Sequence, residues 1–253
     1  MNILVCAKRV PMTGGRIVLT ADEQAIETRH LGFTISPHEE CGVEEAVRLI
    51  EQHGGETTVL TLGPPEAEEQ LRDAMALGID RAILLQVDNE WEPQATAAAI
   101  IEAIEAERAA GTEYDLIIFG NESADAGNYQ VGIRVAHALE RPIVTGVKGV
   151  TVTDGKLRAE QEVPSGRDVY EVPLPAVVTV KEGLNLPRYP SVPGRLRAKR
   201  KPLDTKTPTA GEPGLEKVRL VLPAGDGKQT QVLGEGPSAA PAVLEILKQA
   251  GVV

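Results

Sequence analysis

A chain of 253 residues, 42% of them hydrophobic, can bury one full core or one core plus an appendage, and no apolar run approaches the ~18–20 residues that span a bilayer. A formal net charge of −11 excludes a general nucleic-acid binder, which needs a basic surface. Cys6 and Cys41 make no disulfide framework, and the opening residues run into a strand pattern without the cationic segment and cleavage site of a signal peptide, so the expectation is a cytoplasmic protein with reduced thiols.

The first strand is expected at 2–7, where Ile3-Leu4-Val5 is continuously apolar, as in strands buried on both faces. A helix follows with Val43, Ala46, Val47 and Ile50 on one face and Gly54-Gly55 behind it as a C-terminal cap. Next come a strand at 57–62, a helix carrying Ala67, Leu71, Ala74 and Met75 that stops at Gly78, and a strand at 81–87. A third helix carries Ala97, Ile100, Ile101 and Ile104 and ends at Gly111. The strand at 115–120 leads to a fourth helix with Val131, Val135 and Leu139, and strands at 142–147 and 176–180 close the series. This alternation predicts an α/β fold with right-handed crossovers and a doubly wound, mainly parallel sheet.

Between the last two strands, 149–162 reads as a hairpin turning at Asp154-Gly155. After Lys181, Pro187, Pro190, Pro193, Pro202, Pro208 and Pro213 are expected to interrupt regular structure, with order returning at 217–222 and in a last helix at 239–250. The division expected is an α/β domain over 1–182 and an extended C-terminal arm over 183–253. Within the arm, residues 188–206 hold Arg188, Arg195, Arg197, Lys199, Arg200, Lys201 and Lys206 against a lone Asp204. That segment is either a solvated basic arm or a docking segment for an acidic protein surface.

The chemistry is sparse. His30, His38, His53 and His137 lack metal-ligand spacing, and the dinucleotide and P-loop glycine fingerprints are both missing. Position says more, because ligands of an open parallel sheet bind beyond the carboxyl ends of its strands. Four segments fall at such places: Lys8-Arg9-Val10-Pro11, Ser36-Pro37-His38-Glu39, Gly63-Pro64-Pro65 and the loop over 120–132. In that loop, Gly120-Asn121-Glu122-Ser123-Ala124-Asp125-Ala126-Gly127-Asn128-Tyr129-Gln130-Val131-Gly132, small residues let a ligand approach and Gly127 or Asn128 can take positive φ. The helix it opens offers free N–H groups to a phosphate, and Asp125 can accept from an adenine amine or ribose hydroxyl. An ordinary βα loop with an N-cap would read the same way.

At these residues the chain resembles the beta subunit of electron transfer flavoproteins. Val5-Cys6-Ala7-Lys8-Arg9-Val10-Pro11, Ser36-Pro37-His38-Glu39-Glu40, Val43-Glu44-Glu45-Ala46-Val47-Arg48-Leu49, Ala76-Leu77-Gly78-Ile79-Asp80-Arg81-Ala82, Pro175-Ala176-Val177-Val178-Thr179 and Leu184-Asn185-Leu186-Pro187-Arg188-Tyr189 are similar to the family's motifs in order. The resemblance implies a fold like that of the adenine-nucleotide alpha hydrolases and an electron-carrier subunit rather than an enzyme. It implies an alpha subunit holding FAD, and AMP in this chain, or a second FAD if the chain is of the electron-bifurcating type. Carried over, the cofactor site is Cys6, Ser36, Pro37, His38, Glu39, Leu62, Gly120, Asn121, Glu122, Ser123, Ala124, Asp125, Ala126, Gly127, Asn128, Tyr129, Gln130 and Val131. Dehydrogenase docking falls on Tyr189, Val192 and Leu196, and the arm is expected on the alpha subunit. Ser36 stands where the family has asparagine, and Thr13 and His38 where some members place aromatics. Two rival readings are a stand-alone nucleotide-binding module of the universal-stress type and an enzyme acting on a nucleotide phosphate, for which the loop offers only Glu122 and Asp125.

Overall fold

The continuously apolar runs become the buried middle of one sheet. The computed structural model describes every residue except 13, 15, 16, 210, 212, 213 and 224–230, so Thr13 and Pro213 lie outside the described residues. In chain order come β1 (Asn2–Cys6), a small antiparallel pair β2 (Val10–Pro11) and β3 (Phe33–Thr34), α1 (Pro37–His53), β4 (Glu56–Gly63), α2 (Glu68–Leu77), β5 (Arg81–Gln86), α3 (Pro93–Ala109), β6 (Leu116–Gly120) and α4 (Val131–Ala138). There follow β7 (Ile143–Thr153), β8 (Lys156–Val163), β9 (Gly166–Pro173), β10 (Ala176–Val180), α5 (Val192–Ala198), β11 (Leu203–Lys206) and α6 (Ala240–Gln249).

The large sheet runs β11-β5-β4-β1-β6-β10-β7-β8-β9, parallel from β11 through β7 and antiparallel over β7, β8 and β9. The expected α/β architecture is therefore present. Alternation along each strand splits the core into two layers. Ile3, Val5, Val59, Leu84, Ile118 and Val178 pack under α1 and α2, with Val43, Val47, Leu71 and Met75 facing them. Leu4, Leu60, Ile83, Ile117 and Val177 pack under α3 and α4, against Ile100, Ile104 and Val135. Gly78 ends α2 at φ +145 and so close to Val47 that a Cβ there would lie 2.9 Å from its Cγ1.

Three features depart from the sequence expectation. The hairpin has a third strand, β9, whose exposed Arg167-Asp168-Val169-Tyr170-Glu171 carries too little apolar alternation to announce itself. Regular structure also continues past Lys181. Pro193 sits in the first turn of α5, where a missing N–H costs nothing, and Ser191 caps that helix by accepting from the Gly194 N–H at 3.1 Å. Pro202 precedes β11, an edge strand that pairs only with β5; such a strand tolerates the polar Asp204, Thr205 and Lys206 because one side faces water. Third, residues 217–222 form no regular element.

The chain divides into two units, Met1–Val218 and Arg219–Val253. The second contains α6, close to the expected helix, with Val243, Leu244, Ile246 and Leu247 exposed. No helix among the described residues is long and apolar enough to cross a membrane.

Candidate functional site

From β1 the chain moves outward to β4 and β5, then crosses back to β6 on the other side of β1. The crevice beyond the carboxyl ends of β1 and β6 is thus the switch point at which open α/β sheets hold ligands. Cys6 pairs in register with Phe119 there, so Ala7-Lys8 and the loop that begins at Gly120 leave the sheet side by side. The start of α1 joins them.

Glu39 makes that junction. It is the third residue of α1 and 5% exposed; one carboxylate oxygen accepts the Ser36 N–H at 3.0 Å and the other accepts the Lys8 N–H at 3.0 Å. The first bond is half of a capping box; the second crosses to another segment. The Ser36 hydroxyl donates to the Glu122 carbonyl at 3.5 Å, which brings in the third segment. Burial raises the Glu39 carboxyl to about 7, against the partial relief of the Ser36 and Lys8 N–H groups and the Lys8 ammonium. Cys6, in the same wall, is buried and its thiol is pushed up by burial and by Glu39, so it is inert.

Lys8 at the mouth is already paired. The Lys8 ammonium lies 2.7 Å from Asp125 and 2.5 Å from Glu90, on the loop after β5. Burial works against both charges, yet the pairing wins, leaving Lys8 above its ordinary value and Asp125 below. His38 bridges two segments: Nδ1 accepts the Glu182 N–H at 2.7 Å, which leaves Nε2 to face Glu122 at 3.2 Å. Asn121 is held from the next strand, accepting from the Thr179 hydroxyl at 2.8 Å, while that hydroxyl accepts the Gly146 N–H at 3.0 Å.

The loop then runs into α4. Gly127 takes positive φ as expected, but its left-handed companion is Tyr129, not Asn128. Gln130 offers α4 no side-chain cap, so the first-turn N–H groups stay available to an anion. Gly132 has a structural reason of its own: a Cβ there would lie 3.0 Å from Thr179 and 3.1 Å from the Phe119 ring, so its hydrogen lets α4 pack on β6 and β10.

The structure thus brings Cys6, Ser36, Pro37, His38, Glu39 and Gly120 to Asp125 to one place. Leu62 stands on β4, the strand beside β1, and is packed into the core layer under α3. Ala126, Asn128 and Tyr129 reach outward into solvent. Sequence reasoning missed Glu90, Thr179 and Glu182, which join the site through contacts 58 to 144 residues apart in the chain; no local pattern marks them. Among the described residues no cluster of three or more His, Cys, Asp or Glu is arranged to hold a metal ion.

Comparison with known proteins agrees with the motifs. The family described as "Electron transfer flavoprotein domain" matches residues 25–210. The chain is 32% identical to the electron transfer flavoprotein subunit beta of Bacillus subtilis, with 98% of each chain covered. It is 35% identical to the protein of that name in Thermoanaerobacterium thermosaccharolyticum, over 92% of this chain and 86% of the relative. It is also 32% identical to the caffeyl-CoA reductase-Etf complex subunit CarD of Acetobacterium woodii, over 80% of this chain and 77% of that one. On a match of this extent, the chain belongs to the electron transfer flavoprotein family, among its beta subunits.

Proposed function

We propose that the chain is the beta half of a two-subunit electron carrier working in the cytoplasm, with AMP held where Ser36 to Glu39 and Gly120 to Val131 meet. The redox FAD is bound mainly by the alpha subunit, and supplies the electron-accepting chemistry when bound. The part of the expected arm beyond Val218, a unit of its own, packs on that subunit. The observation that carries the AMP reading is the convergence of the site on one compact anion position. An uncapped α4 provides N–H groups for a single phosphate, and Lys8 is already committed to Asp125 and Glu90. A second phosphate would meet the carboxylates of Glu90, Glu122 and Asp125.

A second FAD at the same place is favoured by one feature, the outward reach of Ala126, Asn128 and Tyr129, which leaves room beyond the junction. Mass spectrometry of ligand released by denaturing the co-purified heterodimer decides. One AMP and one FAD per heterodimer is expected; two FAD and no AMP would replace the first reading with the second.

Donor docking is assigned to the segment after Arg188. Tyr189, Val192 and Leu196 are 95%, 73% and 61% exposed, while Ser191 caps α5 and Arg195 pairs with Asp73 of α2 at 2.9 Å. Apolar side chains on a backbone held in place are suited to anchoring a partner at low entropic cost. Replacing Val192 and Leu196 with serine is expected to slow electron transfer from the native dehydrogenase about tenfold, the loss of one modest anchor. Nucleotide content and assembly with the alpha subunit should stay unchanged. An unaffected transfer rate, or a heterodimer that separates, would remove the donor-docking role.

A further inference from the structure

Two basic side chains tie the loop after β6 to the start of α3 and the turn before it. Lys8 does so by joining Asp125 at 2.7 Å to Glu90 at 2.5 Å, and two carboxylates meet its charge. Arg134, at the end of the first turn of α4, does so with no carboxylate at all. Its Nε and Nη2 donate to the Gln130 Oε1 at 3.2 and 3.1 Å, and its Nη1 to the Gln94 Oε1 at 3.5 Å. Both partners are neutral amides, and among the described residues Arg134 enters no ion pair. Glu92 is close enough to feel it but is spent elsewhere, as the N-cap of α3. One of its oxygens accepts the Ala95 N–H at 2.6 Å and the Gly214 N–H at 3.4 Å, and the other the Gln94 N–H at 2.8 Å. Burial works against that carboxylate, while these N–H groups, and then Arg134, hold it below its ordinary value.

A cation so placed works against its own helix. The free N–H groups at a helix N-terminus carry partial positive charge and are stabilised by acids, not bases. Yet α4 has no acidic residue in its first turn and no side-chain cap. The amide oxygen of Gln130, the N-cap residue itself, faces Arg134 instead. Free N–H groups and an unmatched guanidinium therefore sit together where the 120–130 loop ends, and one anion relieves both.

We propose that Arg134 is the specificity-determining cation of the nucleotide site, the counter-charge for the phosphate of its ligand. The inference rests on the nucleotide reading given above, and names the side chain that separates a nucleoside monophosphate from the bare nucleoside. Lys8 cannot take this role without stranding Asp125 and Glu90. A guanidinium can give two parallel N–H bonds to phosphate oxygens, which a lysine does not reproduce. Because Gln130 and Gln94 already hold the Arg134 side chain, less rotamer freedom is lost when the anion arrives.

The test is calorimetric titration of the nucleotide-free full chain with AMP and with adenosine, at low and at high salt. The native chain is expected to bind AMP more tightly than adenosine, and salt should weaken only the AMP affinity. Arg134→Gln, which keeps a donor for the Gln130 amide, should lose about twentyfold in AMP affinity, the loss of one charge-assisted contact. Its adenosine affinity should stay within about twofold and its salt dependence should shrink. Arg134→Lys should fall between the two. An unchanged AMP affinity in Arg134→Gln overturns the inference and leaves the nucleotide reading standing. So does an equal loss for both ligands, which would make Arg134 a support for the loop. If the native chain binds neither AMP nor adenosine, the nucleotide reading fails and the inference with it. Should Arg134→Gln not fold, the native chain still decides: AMP bound no more tightly than adenosine, or with no response to salt, rejects a cation at the phosphate.

Discussion

Gly120→Val is expected to lower the unfolding free energy by about 3 kcal/mol and to empty the proposed nucleotide site. Even a bare Cβ at this position would sit 2.7 Å from the Glu39 Cγ and 3.4 Å from both the Glu122 carbonyl and the His38 Cβ. The Glu39 stem cannot swing aside, because both its oxygens are held by backbone N–H groups on separate segments. Valine adds two further carbons to that clash, so either α1 moves off the sheet or Glu39 leaves Lys8 and Ser36. Urea unfolding measures the first cost and ligand content after purification the second. Native stability with native nucleotide content in Gly120→Val would mean that Glu39 does not hold these segments as described.

Arg188→Ala is expected to cost about 3 kcal/mol, because it leaves a buried carboxylate unpaired. Glu44 is 4% exposed on α1 and receives the Arg188 side chain at 2.9 Å, while a second arm of the guanidinium reaches Glu51 at 2.6 Å. Two N–H groups pointed at one carboxylate in fixed geometry are not replaced by lysine. Asn185, hydrogen-bonded to the Cys41 carbonyl at 3.0 Å and to Glu45 at 2.9 Å, ties the preceding turn to the same helix. Chemical denaturation reads the total, and faster proteolysis near Tyr189 would show where the strap lets go. Adding Glu44→Gln to Arg188→Ala should recover part of the loss, since the stranded charge goes with it; no recovery would mean that the cost lies in packing.

The parts of the fold legible in the sequence were those written in local periodicity. Ile3-Leu4-Val5 and Leu116-Ile117-Ile118-Phe119 are apolar at every position because helices cover both their faces. Once the order of strands and helices is known, the location of the site follows from topology alone, which is why Lys8, Ser36 to Glu39 and Gly120 to Asp125 could be gathered in advance. What escaped depended on distant partners. Nothing near Glu39 distinguishes it from any acid in the first turn of a helix until Lys8, 31 residues away, presents its N–H. β11 escaped for the opposite reason: Leu203-Asp204-Thr205-Lys206 is polar enough to be loop, and only the free edge of β5 makes it a strand. The prolines misled because they mark where a helix starts as readily as where one stops, as Pro193 does in α5.

That last strand sets a timetable for synthesis. β5 is complete once Gln86 has been made, but its outer neighbour β11 does not end until Lys206. For the whole interval the emerging chain carries an unprotected strand edge, with α2 also waiting for α5 to cover it. The ribosome must deliver the proline-rich, basic segment before the domain can shield its own flank. The stretch whose composition suggests a tail is therefore the piece that closes the sheet, and a nascent chain halted anywhere before it would be exposed to edge-to-edge pairing with its neighbours.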